Sequence, residues 1–475
     1  MFTKTENEKY KAEDFIKDAE IRKIISESEK LADDLNLVNS ILEKAKKAEG
    51  LSPEEAAILL SIKDEETLNK MFTIAREVKE KFYGKRIVIF APLYVSNYCV
   101  NNCSYCGYKH CNEDLKRKRL NKEQLIEEVK ILESLGHKRI ALEAGEDPVN
   151  APLDYIIDCI KNIYSIKFDN GAIRRINVNI AATTVDEYKR LKAADIGTYI
   201  LFQETYHKET YEKLHVSGPK HNYNYHTTAM HRAREAGIDD IGMGVLYGLY
   251  DYKYETLAML MHANDLEKTT GVGPHTVSVP RIQKAENVTL ENFPYLVSDD
   301  DFKKIVATLR LAIPYTGMIL STREKPVLRD EIISLGISQV STGSCTGVGG
   351  YSESHRDPEE KPQFELADHR SPVEMIESLM ESGYIPSYCT ACYREGRTGE
   401  VFMDIVKSGT LDNICEANAM LTLKEFIDDY GTEKTKELGN KVIADNLKTI
   451  EKPEFKASVE EKLKKISNGT RDLRF

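Results

Sequence analysis

The chain has 475 residues, 30% of them charged, and a formal net charge of -11 with acidic and basic side chains interspersed. It is therefore long enough for two or three domains, and it carries no electrostatic footprint for nucleic acid. No apolar leader and no run of 18 apolar residues is present, and nine cysteines with six in two tight clusters argue for metal or redox use over a disulfide framework, so a cytoplasmic protein is expected.

Residues 1–85 read as helical. Ile21 to Ala48 carries apolar side chains at helical spacing, and Ser52-Pro53-Glu54-Glu55 combines an N-cap, a proline at the first helical position and a capping-box glutamate. From Arg86 the pattern changes to short apolar strands alternating with amphipathic helices. The expected strands are 86–95, 139–146, 174–182, 198–206, 240–248, 275–282, 317–324 and 337–347. Eight such units span close to the ~250 residues of a (β/α)8 barrel, in which chemistry gathers at the C-terminal ends of the strands. The expected organisation is an N-terminal helical extension (1–85), the barrel (86–350) and a mostly helical C-terminal cluster-binding domain (351–475). A polar linker, Ser352 to Pro362, separates the last two, and the charged helical segment from Thr422 onward is expected to be peripheral.

Directly after the first strand comes Cys99-Val-Asn-Asn-Cys103-Ser-Tyr105-Cys106, a C-x3-C-x2-C triad. Three thiolates can hold one iron–sulfur cube and leave an iron open, where a fourth protein thiol would close it for plain electron transfer. The alternative is zinc, which usually draws four ligands from separated Cys/His pairs; Cys111 and His110 lie close enough in sequence to contribute. The spacing, with aromatic Tyr105 before the last cysteine, resembles the radical-SAM superfamily, whose open iron binds S-adenosylmethionine (SAM). Leu142-Glu-Ala-Gly145-Glu146 is similar to the superfamily's Gly-Gly-Glu element, with Ala144 in place of the first glycine, which implies contact with the SAM amino group. Its alternative is a carboxylate capping the next loop. Glu204, at the end of strand four, is placed to accept from the SAM ribose hydroxyls.

Strand seven ends Ser321-Thr-Arg323-Glu324, and an arginine at that rim suits a bidentate grip on a substrate carboxylate. The competing readings are an internal ion pair between Arg323 and Glu324, and Arg281 as the gripping residue. In the tail, Cys389-Thr-Ala-Cys392 and Cys415 form a second three-thiol set, C-x2-C-x22-C, open to a second cluster or to a structural zinc. Cys111, Cys159 and Cys345 are read as packing residues.

Two such triads flanking a complete barrel, with Ser321-Thr-Arg323-Glu324, Gln203-Glu204-Thr205-Tyr206 and Ser217-Gly-Pro-Lys220, resemble the FeFe-hydrogenase maturases among the radical-SAM tyrosine lyases, over nearly the whole chain. The resemblance implies two 4Fe–4S clusters, on Cys99, Cys103 and Cys106 and on Cys389, Cys392 and Cys415, with an extra iron beside the second. It implies a lyase that uses SAM to break the Cα–Cβ bond of L-tyrosine, giving p-cresol and dehydroglycine. Dehydroglycine is then converted to carbon monoxide and cyanide on an iron destined for the hydrogenase active site, with the barrel interior as conduit. His275, at the start of strand six, is read as a ligand to the extra iron or as an ordinary hydrogen-bonding histidine, and His262 as a packing residue. Implied partners are an electron donor and other hydrogenase maturation proteins; free L-cysteine or another small thiol as a bridge to the extra iron stays open. Two other readings stand beside this one: 2-iminoacetate synthase, a tyrosine lyase of thiamine thiazole synthesis, and a non-catalytic iron–sulfur scaffold.

Overall fold

The computed structural model describes residues 9–352, 361–407 and 411–475. Eight strands form where the sequence alternates apolar and small residues behind a polar start: β1 Arg86–Ser96, β2 Arg139–Ala144, β3 Arg175–Asn179, β4 Tyr199–Ile200, β5 Ile241–Gly244, β6 Thr276–Ser278, β7 Gly317–Leu320 and β8 Gln339–Ser341. All neighbours pair in parallel, and the cylinder closes where β1 meets β8 (Val88 with Gln339) and β2 (Ala91 with Ile140). Helices surround it, so this is the expected (β/α)8 barrel.

All eight expected strands are present, most of them shorter than expected at their C-terminal ends. There the chain leaves the ladder and curls over the rim. After β4, expected to run to Tyr206, the backbone turns at Glu204, which takes φ +69° and keeps one bridge to Val245. The helix Lys122–Ser134 follows the sequence closely: Asn121 and Gln124 form a capping box, and Leu125, Val129 and Leu132 are fully buried.

The N-terminal segment supplies helices Asp18–Leu31, Leu35–Ala45, Pro53–Leu60 and Glu65–Tyr83. Ser52 and Glu55 form the expected capping box. These helices pack on Tyr252–Thr270, Asp299–Ala312 and Pro326–Gly336, over the barrel's β5-to-β8 side. Among the described residues no helix is long and apolar enough to cross a membrane.

Most of the expected linker, residues 353–360, lies outside the described residues. From Lys361 to Ser371 the chain is laced across the C-terminal mouth. Gln363 N donates to Thr346 O (3.0 Å), Glu365 N to Lys284 O (2.8 Å) and Ala367 N to Thr322 O (3.0 Å). A fully buried ion pair, Arg329 Nη1 to Asp368 Oδ2 at 2.6 Å, locks this strap to the barrel wall, and Arg329 also donates to Ser341 O at the end of β8.

A ninth strand, β9 Ile385–Ser387, was not expected from the sequence. It pairs in parallel with Arg86–Val88, on the edge of β1 that β2 occupies further along. Pro386 is tolerated because this short strand is an edge. Helices Pro372–Glu381, Ala391–Arg394, Gly399–Lys407, Leu411–Tyr430, Glu433–Leu447 and Pro453–Ser467 complete the tail. Its last residues correct the expectation of a peripheral end. Phe475 N donates to Asn418 Oδ1 (2.9 Å) and Arg397 Nη2 to Phe475 O (2.7 Å), while Asp472 pairs with Arg394 (Nη2 to Oδ2, 2.7 Å). The chain end is thus folded against the segment that bears the second thiol triad.

Removing one partner of a buried ion pair leaves the other charge uncompensated, at a cost of about 3–5 kcal/mol. Asp368→Asn is therefore expected to lower the urea midpoint of unfolding and to expose the 361–371 strap to protease. Unchanged urea resistance and cleavage would show that the pair does not hold the strap.

Candidate functional site

The cysteine loop leaves β1 at Ser96 and is stitched to two neighbours. Val100 N donates to Glu146 O (2.8 Å), just past β2, and Ser104 N to Leu214 O (2.9 Å), across the barrel mouth. Gly145 lies under this loop, donating to Ser96 O (3.0 Å). A Cβ at Gly145 would collide with the Tyr98 carbonyl oxygen and stand 3.1 Å from Cys99 Cβ, so the approach of β2 to the loop requires glycine.

Cys103 is buried, and Cys99 and Cys106 are half-buried. Burial pushes all three thiols up, Cys103 well above the usual thiol range and Cys106 to about 11. Thiols so placed become thiolates only with a cation to compensate them. Two amides already point at their sulfurs: Asn101 Nδ2 lies 3.8 Å from Cys99 Sγ, and Gln363 Nε2, from the strap, 3.7 Å from Cys106 Sγ. Among the described residues no group of three or more His, Cys, Asp or Glu side chains is arranged round a single metal ion. The donor set, three sulfurs with amide donors behind them, fits an iron–sulfur cluster.

The loop roofs a cavity at the C-terminal mouth with about 1570 Å³ of atom-free space, part of it open to solvent. Its walls include Cys99, Cys103, Tyr105, Cys106, Gly145, Glu146, Glu204, Ser321 and Arg323, while Arg281, the rival candidate at this rim, is not part of the lining. Glu146 Oε2 accepts from Asn101 Nδ2 (2.6 Å), and capping of the next loop falls to Asp147, whose Oδ1 accepts from Val149 N and Asn150 N (2.8 and 2.7 Å). Tyr105 donates to His215 Nε2 (2.7 Å), the acceptor because His215 Nδ1 donates to Tyr211 O (2.8 Å). Glu204 pairs with Lys220 (2.8 Å).

The two arginines separate cleanly. Arg281 takes Glu324 through two nitrogens, Nε to Oε1 at 3.1 Å and Nη2 to Oε2, and also meets Asp299 at 2.9 Å. Arg323 has no carboxylate among the described residues. Its guanidinium lies 3.3 Å from the centroid of the Phe364 ring, and both side chains line the cavity.

The tail triad stands at the opposite mouth. Cys392 and Cys415 share a hydrogen bond, which with the Arg86 guanidinium holds the Cys415 thiol below the usual thiol range despite burial. Arg139 Nη2 donates to Cys389 O (3.0 Å). Tyr393, next to Cys392, has the guanidinium of Arg175 at 4.1 Å and that of Arg139 at 5.2 Å from its ring centroid. The Tyr393 hydroxyl is 3.0 Å from Thr198 Oγ1 and 3.3 Å from His275 Nε2. His275 is therefore at the rim where it was expected, joined to the tail through Tyr393, and burial keeps its imidazole neutral. His262 packs, stacked on Phe15 at 4.6 Å with its Nδ1 2.9 Å from Tyr206 Oη. Cys159 packs in the core as expected; Cys111 is exposed, which corrects its reading as a packing residue, and Cys345 is half-buried, none of the three lining the cavity.

Sequence reading missed Glu143, Asn101, Gln363 and Phe364. Glu143 had a signal: on β2 the residues Arg139, Ala141 and Glu143 share the inward face, and a lone acid there is out of place in a packed interior. Gln363 and Phe364 had none, being distant in sequence from everything they touch.

Residues 93–263 match the Radical SAM superfamily model, and residues 278–385 the Biotin and Thiamin Synthesis associated domain. Over 349 residues the chain is 30% identical to 2-iminoacetate synthase of Salmonella typhimurium, covering 73% of this chain and 89% of that relative. The crystal structure of HydG, a maturase of the FeFe-hydrogenase, superposes with a TM-score of 0.93 at 61% identity, over 97% of this chain and 100% of that one. HydG from Carboxydothermus hydrogenoformans superposes with a TM-score of 0.81 at 42% identity, over 94% and 99%.

Filling the space over Gly145 forces the cysteine loop off β2, and overpacking of this kind costs about 1–3 kcal/mol. Gly145→Ala is expected to weaken SAM binding by about tenfold, measured by equilibrium dialysis on cluster-loaded protein of unchanged iron content. Wild-type affinity would show that the cradle tolerates a side chain.

Proposed function

Because the chain belongs to the radical SAM superfamily and, within it, to the HydG family of FeFe-hydrogenase maturases, we propose that it is a tyrosine lyase with two cluster sites. It cleaves L-tyrosine to p-cresol and dehydroglycine at the Cys99, Cys103 and Cys106 site. It then converts dehydroglycine to carbon monoxide and cyanide at the Cys389, Cys392 and Cys415 site, for delivery on iron to the hydrogenase active site.

The observation that carries the reading is Arg323, a guanidinium with no carboxylate partner among the described residues, facing the same cavity as the three roof cysteines. It takes the substrate carboxylate through two parallel hydrogen bonds, with Phe364 holding its plane and Ser321 beside it. Aromatic and aliphatic walls, Phe90, Ile200, Leu201, Phe202 and Ile319, receive the substrate ring. When bound, SAM and the reduced cluster supply the carbon radical that takes a hydrogen atom from the substrate amine. Gly145, Glu146 and Glu204 position SAM, with Tyr105 fixed against the loop by His215. The strap bearing Gln363 and Phe364 covers this mouth and excludes water from the reacting atoms.

At the other mouth the tail cysteines would hold the second cluster, with Arg86 offsetting their negative charge, and neutral His275 would be the ligand to the extra iron. The tail triad favours the maturase reading over 2-iminoacetate synthase, which needs only the first site.

Reconstituted protein is to be incubated anaerobically with SAM, tyrosine and a reductant, with p-cresol and carbon monoxide assayed in parallel. Both products are expected. p-Cresol alone points to 2-iminoacetate synthase, and neither product to a scaffold. Cys389→Ser with Cys392→Ser is expected to retain p-cresol and to lose carbon monoxide; full carbon monoxide in that variant overturns the role given to the tail.

A further inference from the structure

Three carboxylates line the cavity, and two of them are engaged by protein: Glu146 by Asn101 and Glu204 by Lys220. The third, Glu143 near the end of β2, meets no cation of its own. Among the described residues the side chain bonded to it is Asn179 on β3, and its β1 neighbour Tyr94 donates instead to Gln363 Oε1 (2.8 Å). Arg323 lines the same cavity, close enough to act electrostatically on Glu143 and, among the described residues, likewise without a partner of opposite charge. Among the described residues, one acid without a cation and one guanidinium without a carboxylate thus face a single cavity whose remaining lining is largely apolar. Burying two such groups is costly unless a ligand brings the complementary pair, and a free α-amino acid carries both charges on adjacent atoms.

We propose that Glu143 receives the substrate's α-ammonium group and takes one proton from it, while Arg323 holds the carboxylate of the same molecule. This rests on the reading that tyrosine occupies the barrel cavity, and it assigns the contact that selects an amino acid over a plain acid. In the transfer one N–H bond of the ammonium breaks, the proton passes to a Glu143 oxygen, and the electron pair stays on nitrogen. The neutral amine that results keeps two N–H bonds, one of which later gives up its hydrogen atom. Burial raises the Glu143 carboxyl to about 8 even with Arg323 nearby. That brings its proton affinity much nearer to an amine's than an ordinary carboxylate's would be, which lowers the cost of the transfer.

The test is equilibrium dialysis of cluster-loaded, SAM-loaded protein against L-tyrosine and against 3-(4-hydroxyphenyl)propionate, which lacks the amino group. Wild type is expected to prefer tyrosine by about tenfold or more, the loss typical of a missing charge-assisted hydrogen bond. Glu143→Gln is expected to lose that preference by weakening tyrosine alone, whereas Arg323→Ala weakens both ligands. Glu143→Asp, which keeps the carboxylate, is expected to retain part of the preference, so that a general folding defect in the Gln variant is not mistaken for support. If wild type binds tyrosine and Glu143→Gln keeps the full preference, or weakens both ligands alike, the assignment of Glu143 is overturned and the tyrosine reading stands. If wild type binds neither ligand, the tyrosine reading falls and the assignment with it.

Discussion

β1 is the constraint on which the rest of the structure depends. Its 11 residues pair with β8 on one edge and with β9 and then β2 on the other, so the same strand closes the cylinder and carries the tail. At a rise of roughly 3.3 Å per residue such a strand runs roughly 33 Å. The roof cysteines begin three residues past its end, and Arg86, its first residue, stands against the tail cysteines. One rigid element therefore fixes both thiol triads in a common frame, which loops alone would not do.

Around that frame the molecule sorts its buried charges into those it neutralises and those it leaves for a ligand. Arg329 with Asp368, Arg281 with Glu324 and Lys220 with Glu204 are internal pairs. The Arg281–Glu324 pair also has a local effect on the site. By occupying the glutamate next to Arg323 in sequence, it denies Arg323 the obvious internal partner and leaves that guanidinium to the cavity. Phe364 then supplies a flat support that holds the arginine without satisfying its hydrogen bonds.

Much of this was legible in the sequence, for identifiable reasons. The eight strands were readable because each parallel strand is a short apolar run set off from amphipathic helices. Their C-terminal limits were not, since residues such as Leu201 to Glu204 keep strand-like composition after the ladder has ended. The cysteine triads, Gly145 and Arg323 were readable because their chemistry needs particular residue types at particular spacings. β9 was hidden: three residues with a central proline have no periodicity, and pairing with the start of β1 is a purely tertiary event. Gln363 and Phe364 were hidden for a related reason, since they reach the site only because a buried ion pair pins the strap that carries them. The chain end looked peripheral from its charge, yet those charges are spent on salt bridges to the tail helices.

The N-terminal rim has one more property. Arg86, Arg139 and Arg175 begin three adjacent strands and turn inward together, with the face of Tyr393 covering two of them and Asp240 the acid beside His275. Guanidinium groups remain protonated at any physiological pH, so these arginines supply fixed positive charges against the tail thiols, Asp240 and Asp195, the last paired with Arg175 at 3.4 Å. The strands that build the cylinder thus also supply the counter-charges the tail thiols meet, so the seat of the second triad is part of the barrel wall itself.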